Sequence, residues 1–251
     1  MARLSLKNAG DMRLARDENR RRFLISLGID PARAYFLKQV HSKKVLIAED
    51  LTRNRERALY PAPDSYPAPD YCPAPDSYPT PDSYPAPDYC PDGDGLVTGK
   101  RESVLCVTVA DCLPIFLYDP VSGAFGLLHS GWKGTGIVIP AVRLMEERFD
   151  TDPSRLHATL GPCIGSCCYR VPEERYSFFR HEFGEKAARS DGGGYYLDLQ
   201  AANRTLLEEL GVKEITAVRD CTSCNRALSS FRRDGPEGFS LMLAVLSYRI
   251  S

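Results

Sequence analysis

The sequence predicts an α/β fold, a mixed central sheet with helices flanking it. Three observations predict it. Short β-branched runs alternate along the chain with stretches of helical period, three of those runs between residues 104 and 129 are close enough to pair, and glycines fall where two of the helical stretches stop. In chain order, Arg13 to Leu27 is charged and amphipathic and closes on Gly28, as a surface helix with a glycine stop would. Tyr35 to Val40 and Val45 to Ala48 read as short strands on either side of His41. Val104 to Val109 and Leu113 to Tyr118 are apolar and β-rich, residues 119–123 make a turn, and Ala124 to His129 is a third strand. That run predicts a hairpin within one central sheet. Ile137 to Phe149 carries a helical period behind the glycine-rich residues 131–136, and Leu156 to Leu160 is a further strand. Leu197 to Leu210, stopped by Gly211, is a helix, and Ile215 to Val218 and Ser240 to Tyr248 are strands.

One segment interrupts this pattern. Of the 251 residues, those from Tyr60 to Pro91 hold eleven of the 19 prolines, six of the 13 tyrosines and five aspartates, with no Lys, Arg, Gly, Leu, Ile or Val. They repeat with period six, beginning Tyr-Pro-Ala-Pro-Asp-Ser. Proline at the second and fourth places of each unit fixes φ and removes amide donors, which excludes a helix or a central strand and leaves extended polyproline-like coil. A β-helix of hexamers would need an apolar residue stacked once per turn, and the recurring residues here are Pro and Asp. The segment therefore reads as a solvated inserted loop. The alternative is an arm that docks in the aromatic-lined groove of an unidentified protein partner, on a protein whose role is interaction and not catalysis. The expected organisation is a single domain over residues 1–251, interrupted at 60–91.

Charge excludes some function classes. The formal net charge is −1, and outside the repeat it is +4 with acids and bases intermixed, so there is no basic stripe for nucleic acid. The longest apolar stretch, Val104 to Tyr118, is broken by Asp111 and Pro114 and is too short to span a bilayer. The residues from Met1 to Lys7 lack a signal-like apolar core, and nine cysteines, an odd number, fit reduced thiols or metal ligands better than a disulfide framework. A cytoplasmic protein is the expectation.

Four histidines limit where imidazole chemistry can occur. His41 follows a strand and opens a loop, His129 ends a strand before a glycine-rich turn, and the thiol of Cys112 stands at the break between two apolar runs. Such strand-to-loop positions are where α/β folds carry function. His157, within a strand, and His181, on a polar helix, read as structural. Two imidazoles and a thiolate can bind Zn²⁺ and leave a fourth position open to water or substrate, although the spacing contains no local ligand pair. The same His₂Cys set is the ligand core of a blue-copper site, so copper is the alternative metal and a copper-dependent phenol oxidoreductase the alternative enzyme; four histidines are too few for a multicopper cluster as well. Cys221 and Cys224 have the spacing of half a structural zinc site. The other half would have to come from Cys163, Cys167 or Cys168, and the favoured reading of these thiols is as small apolar fillers.

The ordered motifs resemble a known family. Gln39-Val40-His41-Ser42, Asp94-Gly95-Leu96-Val97-Thr98, Val107-Thr108-Val109-Ala110-Asp111-Cys112-Leu113-Pro114 and His129-Ser130-Gly131-Trp132-Lys133-Gly134 are similar to successive motifs of the laccase-domain family. The similarity continues through Leu160-Gly161-Pro162-Cys163-Ile164-Gly165, Cys168-Tyr169, Asp220-Cys221-Thr222 and Ser230-Phe231-Arg232-Arg233-Asp234-Gly235. Ser42, Gly95 and Arg170 stand where that family more often has Gly, Ala and Glu. The resemblance implies an α+β sandwich related to the catalytic domain of cytotoxic necrotizing factor toxins, with zinc on His41, Cys112 and His129. It implies a purine nucleoside phosphorylase with adenosine deaminase and methylthioadenosine phosphorylase activity, whose substrates are purine nucleosides and phosphate. On that reading Asp94 and Asp111 are the candidate proton-moving acids. Lys133 is the first candidate to offset the phosphate charge and Arg233, as a substrate-binding residue, the second.

Overall fold

A computed structural model describes residues 19–20, 22–51 and 91–248. The repeat from residue 60 to 90, and residues 13–18 and 21 of the helix expected over Arg13 to Leu27, lie outside the described residues; residues 19–20 and 22–26 are helical and end in a turn with Gly28 at φ +72°. The strands in chain order are β1 (Ala34–Tyr35), β2 (Val45–Ile47), β3 (Gly95–Thr98), β4 (Val104–Val109), β5 (Leu113–Tyr118), β6 (Phe125–Ser130), β7 (His157–Leu160), β8 (Arg170–Val171), β9 (Ala188–Asp191), β10 (Gly194–Leu197), β11 (Glu214–Ala217) and β12 (Met242–Ser247). Between them, among the described residues, lie helices α1 (Val138–Phe149), α2 (Glu173–Phe183), α3 (Leu199–Glu209) and α4 (Phe231–Gly238), besides the helical residues 48–51. Among the described residues no helix is long and apolar enough to cross a membrane.

The central sheet is mixed, with strand order β11-β7-β5-β6-β3-β2. β5 and β6 form the expected antiparallel hairpin across residues 119–123, whereas β2–β3 and β7–β11 are parallel. In one respect the sheet differs from expectation: β4 is not part of it. β4 instead pairs with β1 and β12 in a separate three-stranded sheet, and β8, β10 and β9 form a third. β4, β5 and β6 are all apolar and largely buried on both faces. Hydrophobic pattern therefore cannot say which of them share a sheet. The other shortfall is Tyr35 to Val40, of which only Tyr35 is in strand; beyond it the segment makes a single bridge, Lys38 to Asp92.

Period-two alternation sorts the side chains into layers. Leu113, Ile115 and Leu117 of β5 and Val97 of β3 face α1 and α3, where Val138, Ala141, Val142, Met145 and Leu207 complete one core. Leu96, Phe125 and Leu127 point the other way and meet Leu105, Val107 and Val109 of β4 and Met242 and Ala244 of β12. The remaining face of β4, Val104 and Cys106, packs on Leu24, Phe36 and Leu243. Each fully buried Leu, Ile or Val contributes about 1.5–3 kcal/mol, so the two cores clamp the central sheet from both sides and fix its edges.

Candidate metal centre

Alternating strand direction gathers the candidate residues at one edge of the central sheet. β2, β3 and β5 run one way and β6, β7 and β11 the other, so the starts of the first three meet the ends of the second three. His41 lies just before β2, Asp94 immediately before β3, Cys112 immediately before β5, and His129 within the last two residues of β6, opposite Pro114. Cys112 reaches this edge because the chain leaves one sheet at Val109 and enters the other at Leu113. Asp111 turns that corner at φ +80°, an uncommon conformation for a residue with a Cβ.

The donor atoms of His41, Cys112 and His129 all lie within 4.8 Å of one another. The two imidazoles meet edge to face with centroids 4.9 Å apart. His129 is buried, Cys112 half-buried and His41 exposed, so the group opens to solvent on the His41 side. Glycine is required beside it: a Cβ on Gly131 would stand 3.0 Å from Cys112 Sγ and 3.2 Å from His41 Cδ2, and one on Gly134 would stand 2.9 Å from the Ser42 carbonyl oxygen.

One buried carboxylate organises both histidines. Asp94, with no solvent exposure, accepts hydrogen bonds from three consecutive backbone N–H groups, those of Val40 (3.3 Å), His41 (3.0 Å) and Ser42 (2.6 Å). It also accepts from Ser42 Oγ (2.8 Å), a donor that glycine at this position would lack. His129 Nδ1 lies 2.9 Å from Asp94 Oδ1. Because the carboxylate can only accept, Nδ1 carries a hydrogen, and Nε2 is the nitrogen that becomes available to a metal when the ring is neutral, the arrangement in which a carboxylate fixes the tautomer of a metal-binding imidazole. Burial would raise the Asp94 carboxyl, but the His129 hydrogen bond and those from Ser42 outweigh it and hold it at about 2. Likewise burial alone would push the Cys112 thiol up, and the two imidazoles bring it down to about 7. Desolvation would lower His129, yet Asp94 and the thiol raise it to about 9. The cluster thus favours a thiolate, which is the form a metal needs.

The structure places the remaining candidates unequally. Asp111 is adjacent and only 9% exposed; its Oδ1 accepts from Thr222 Oγ1 at 2.6 Å and its Oδ2 from the Arg232 backbone N–H, in the first turn of α4, at 2.7 Å. Lys133 is exposed on the glycine turn, with Nζ 5.6 Å from the centroid of the Trp132 ring. Arg233 is occupied elsewhere. Its Nε and Nη2 hold Asp234, its Nη1 donates to the carbonyls of Thr222, Ser223 and Asn225, and its Nη2 also donates to that of Leu228, so the guanidinium clamps the loop before α4. His157 and His181 are both exposed, at the start of β7 and on α2. Of the cysteines read as apolar fillers, Cys163 is buried, but Cys167 and Cys224 are exposed.

Several supporting residues escaped the sequence reading. Gln39 is one: its side-chain amide donates to the Thr108 carbonyl at 2.9 Å and accepts from the Thr108 N–H and hydroxyl at 2.8 Å each, pinning the His41 loop to β4. Asn203, fully buried on α3, donates to Ser130 Oγ and accepts from the Gly136 N–H, tying the glycine turn to the helix. Arg175 stacks 4.2 Å from the centroid of Trp132. Only Gln39 stood in a quoted motif, and its partner lies 69 residues away.

Known proteins share both sequence and fold. The family model described as multi-copper polyphenol oxidoreductase laccase matches residues 3–247. A purine nucleoside phosphorylase of Streptomyces coelicolor is 32% identical over 215 residues, 85% of this chain and 75% of that protein. The purine nucleoside phosphorylase YlmD of Geobacillus stearothermophilus is 38% identical over 166 residues, 62% of this chain and 60% of its own length. A mouse purine nucleoside phosphorylase is 34% identical over 165 residues, 62% of this chain but 38% of its own. The match thus spans less than two thirds of the mouse and Geobacillus proteins. Among solved structures, that of YlmD from Geobacillus stearothermophilus superposes with a TM-score of 0.77 at 30% identity, covering 99% of this chain and 85% of that one. Since the family model runs along nearly the whole sequence and the fold follows it, the chain belongs to the multi-copper polyphenol oxidoreductase laccase family.

Proposed function

We propose that this protein is a zinc-dependent purine nucleoside phosphorylase that also deaminates adenosine and cleaves methylthioadenosine. The observation that carries the reading is the convergence of His41, Cys112 and His129 on one solvent-facing point with Asp94 fixing the His129 tautomer. Relatives that share the motifs are named purine nucleoside phosphorylases. When bound by these three residues, zinc supplies Lewis acidity at the coordination position that they leave open.

The chain's own groups divide the remaining work. Asp94, enclosed by donors and held at about 2, positions both histidines and has no free oxygen with which to move a proton. We assign proton movement to Asp111, which adjoins Cys112 in the chain and whose Oδ1 already accepts from the Thr222 hydroxyl. Lys133 and Arg175, both against the Trp132 ring, place positive charge next to the glycine turn and suit the phosphate. Arg233 acts by holding the Thr222 loop, not by binding phosphate.

The family's description favours a second reading, copper-dependent phenol oxidation. Two of the four histidines are remote and exposed, which leaves two for any copper at this centre. The test is to incubate zinc-loaded protein with adenosine, inosine and methylthioadenosine, each with and without phosphate, and copper-loaded protein with a phenol in air. Free base that appears only with phosphate, and inosine formed from adenosine, are expected. Absence of any nucleoside product from protein carrying a full equivalent of zinc would sink the proposal, and phenol turnover with copper alone would install the alternative.

A further inference from the structure

A second group of potential ligands lies apart from this centre and takes no part in the chemistry proposed for it. Cys167 and Cys168 occupy the turn after Gly165, and Cys221 and Cys224 bracket the turn that follows β11. Their four Sγ atoms all lie within 4.8 Å of one another. Cys224 Sγ is 3.3 Å from Cys168 Sγ and 3.7 Å from Cys167 Sγ. Four sulfurs placed tetrahedrally on a metal at about 2.3 Å are about 3.8 Å apart, whereas a disulfide brings two of them to about 2.0 Å. The observed spacing is that of ligands around an ion.

The two turns are built to hold sulfur. The backbone N–H of Cys224 and that of Asn225 both donate to the Cys221 carbonyl, at 3.1 and 2.8 Å, closing the Cys-x-x-Cys turn, and the Gly165 N–H donates to Cys221 Sγ at 3.2 Å. Glycine at 165 permits that approach: a Cβ there would lie 3.3 Å from both Cys167 Sγ and Cys221 Cβ. Arg189, which also pairs with Asp191, donates to the Ser166 carbonyl at 2.9 Å and ties the Cys167–Cys168 turn to β9.

We propose that Cys167, Cys168, Cys221 and Cys224 form a closed structural zinc site that staples the two turns together. The chemistry fits zinc: four thiolates in tetrahedral array leave no open position, which makes the site structural and not catalytic. Its consequence reaches the first centre. The Ile164 N–H donates to the Asp111 carbonyl at 2.9 Å, and Thr222, between the two turn cysteines, donates its hydroxyl to Asp111 Oδ1. Both turns thus hold Asp111 next to Cys112.

Metal content of the full chain, purified with reductant from zinc-supplemented cells, tests this. Two zinc ions per chain are expected for the wild type, one for C112A, one for C221S/C224S, and none for the triple variant. C221S/C224S should also melt at a lower temperature and lose most of its nucleoside turnover while keeping the zinc on His41, Cys112 and His129. Cobalt substitution of the wild type and of C112A, in both of which the four cysteines are intact, gives a readout independent of whether C221S/C224S folds: a strong sulfur-to-cobalt charge-transfer band that persists in C112A is expected. A wild-type content of one zinc that falls to zero in C112A would overturn the proposal. So would a disulfide between Cys224 and either Cys167 or Cys168 in that reduced preparation. Neither result would count against the first centre, whose failure would show instead as C112A retaining both ions.

Discussion

Asp94 shows how much a single side chain can organise. Its oxygens accept from three successive backbone N–H groups, a hydroxyl and an imidazole. D94N keeps the shape but turns one acceptor into a donor that faces N–H groups already pointing inward. Zinc affinity should fall about 10–100-fold, the usual cost of losing such a partner, as read by competition with a chromophoric chelator. Arg233 makes the contrasting case. An arginine within a cluster of motifs reads from sequence as an anion binder, yet here its donors are consumed by carbonyls and Asp234. R233A should lower the melting temperature and kcat while leaving KM for phosphate nearly unchanged; a selective rise in that KM at constant melting temperature would restore it as a phosphate ligand.

At the scale of elements, most of the fold was legible. The apolar periods of β5, β6, α1 and α3 carry enough residues to declare their type, and their observed ends fall within about two residues of those read from sequence. β8, β9 and β10 were not legible, because strands of two to four residues with exposed positions carry no period. The β5–β6 turn was recognised by its Asp-Pro start and Gly end, and the structure adds its physical basis. Asp119, fully buried, accepts from the Val121 N–H and the Ser122 hydroxyl; burial would raise its carboxyl, and these donors hold it below the ordinary 3.8. A depressed carboxyl contributes stability that is complete above its unfolded value and disappears as the pH falls through its folded value. Urea midpoints of the wild type should therefore drop below pH about 4 more steeply than those of D119N, which should already be about 1–2 kcal/mol less stable at neutral pH.

At the scale of the molecule, two cores clamp one mixed sheet, and the repeat falls on the connection between β2 at its edge and β3, the parallel neighbour. Parallel neighbours must be joined by a crossover, so some chain has to run from residue 51 back to residue 91 whatever its length. Close by, the Lys38 N–H donates to the Pro91 carbonyl and the Gly93 N–H to that of Lys38, so the returning chain is held before it reaches Asp94. Deleting residues 60–91 and rejoining the chain with a short Gly/Ser linker should leave zinc content and nucleoside turnover within about twofold of the wild type, since loop length changes closure entropy only logarithmically. Loss of turnover in that variant would give the repeat a part in the site.

By itself the sequence determined the class of fold, the elements with strong periods and which residues bear ligand chemistry. Those properties are local: they follow from side-chain type and from the spacing of apolar residues along a few turns of chain. The grouping of His41, Cys112 and His129 was expected from their strand-to-loop positions and from the family resemblance, but that their donor atoms meet, and that the four outlying cysteines do, was decided only by the tertiary structure. His41, Cys112 and His129 are separated by 71 and 17 residues and meet because strands of opposite direction end at one edge. For the same reason the four outlying cysteines, which looked like separate fillers in sequence, face one point: the turns after β7 and β11 are brought side by side by parallel pairing of those strands.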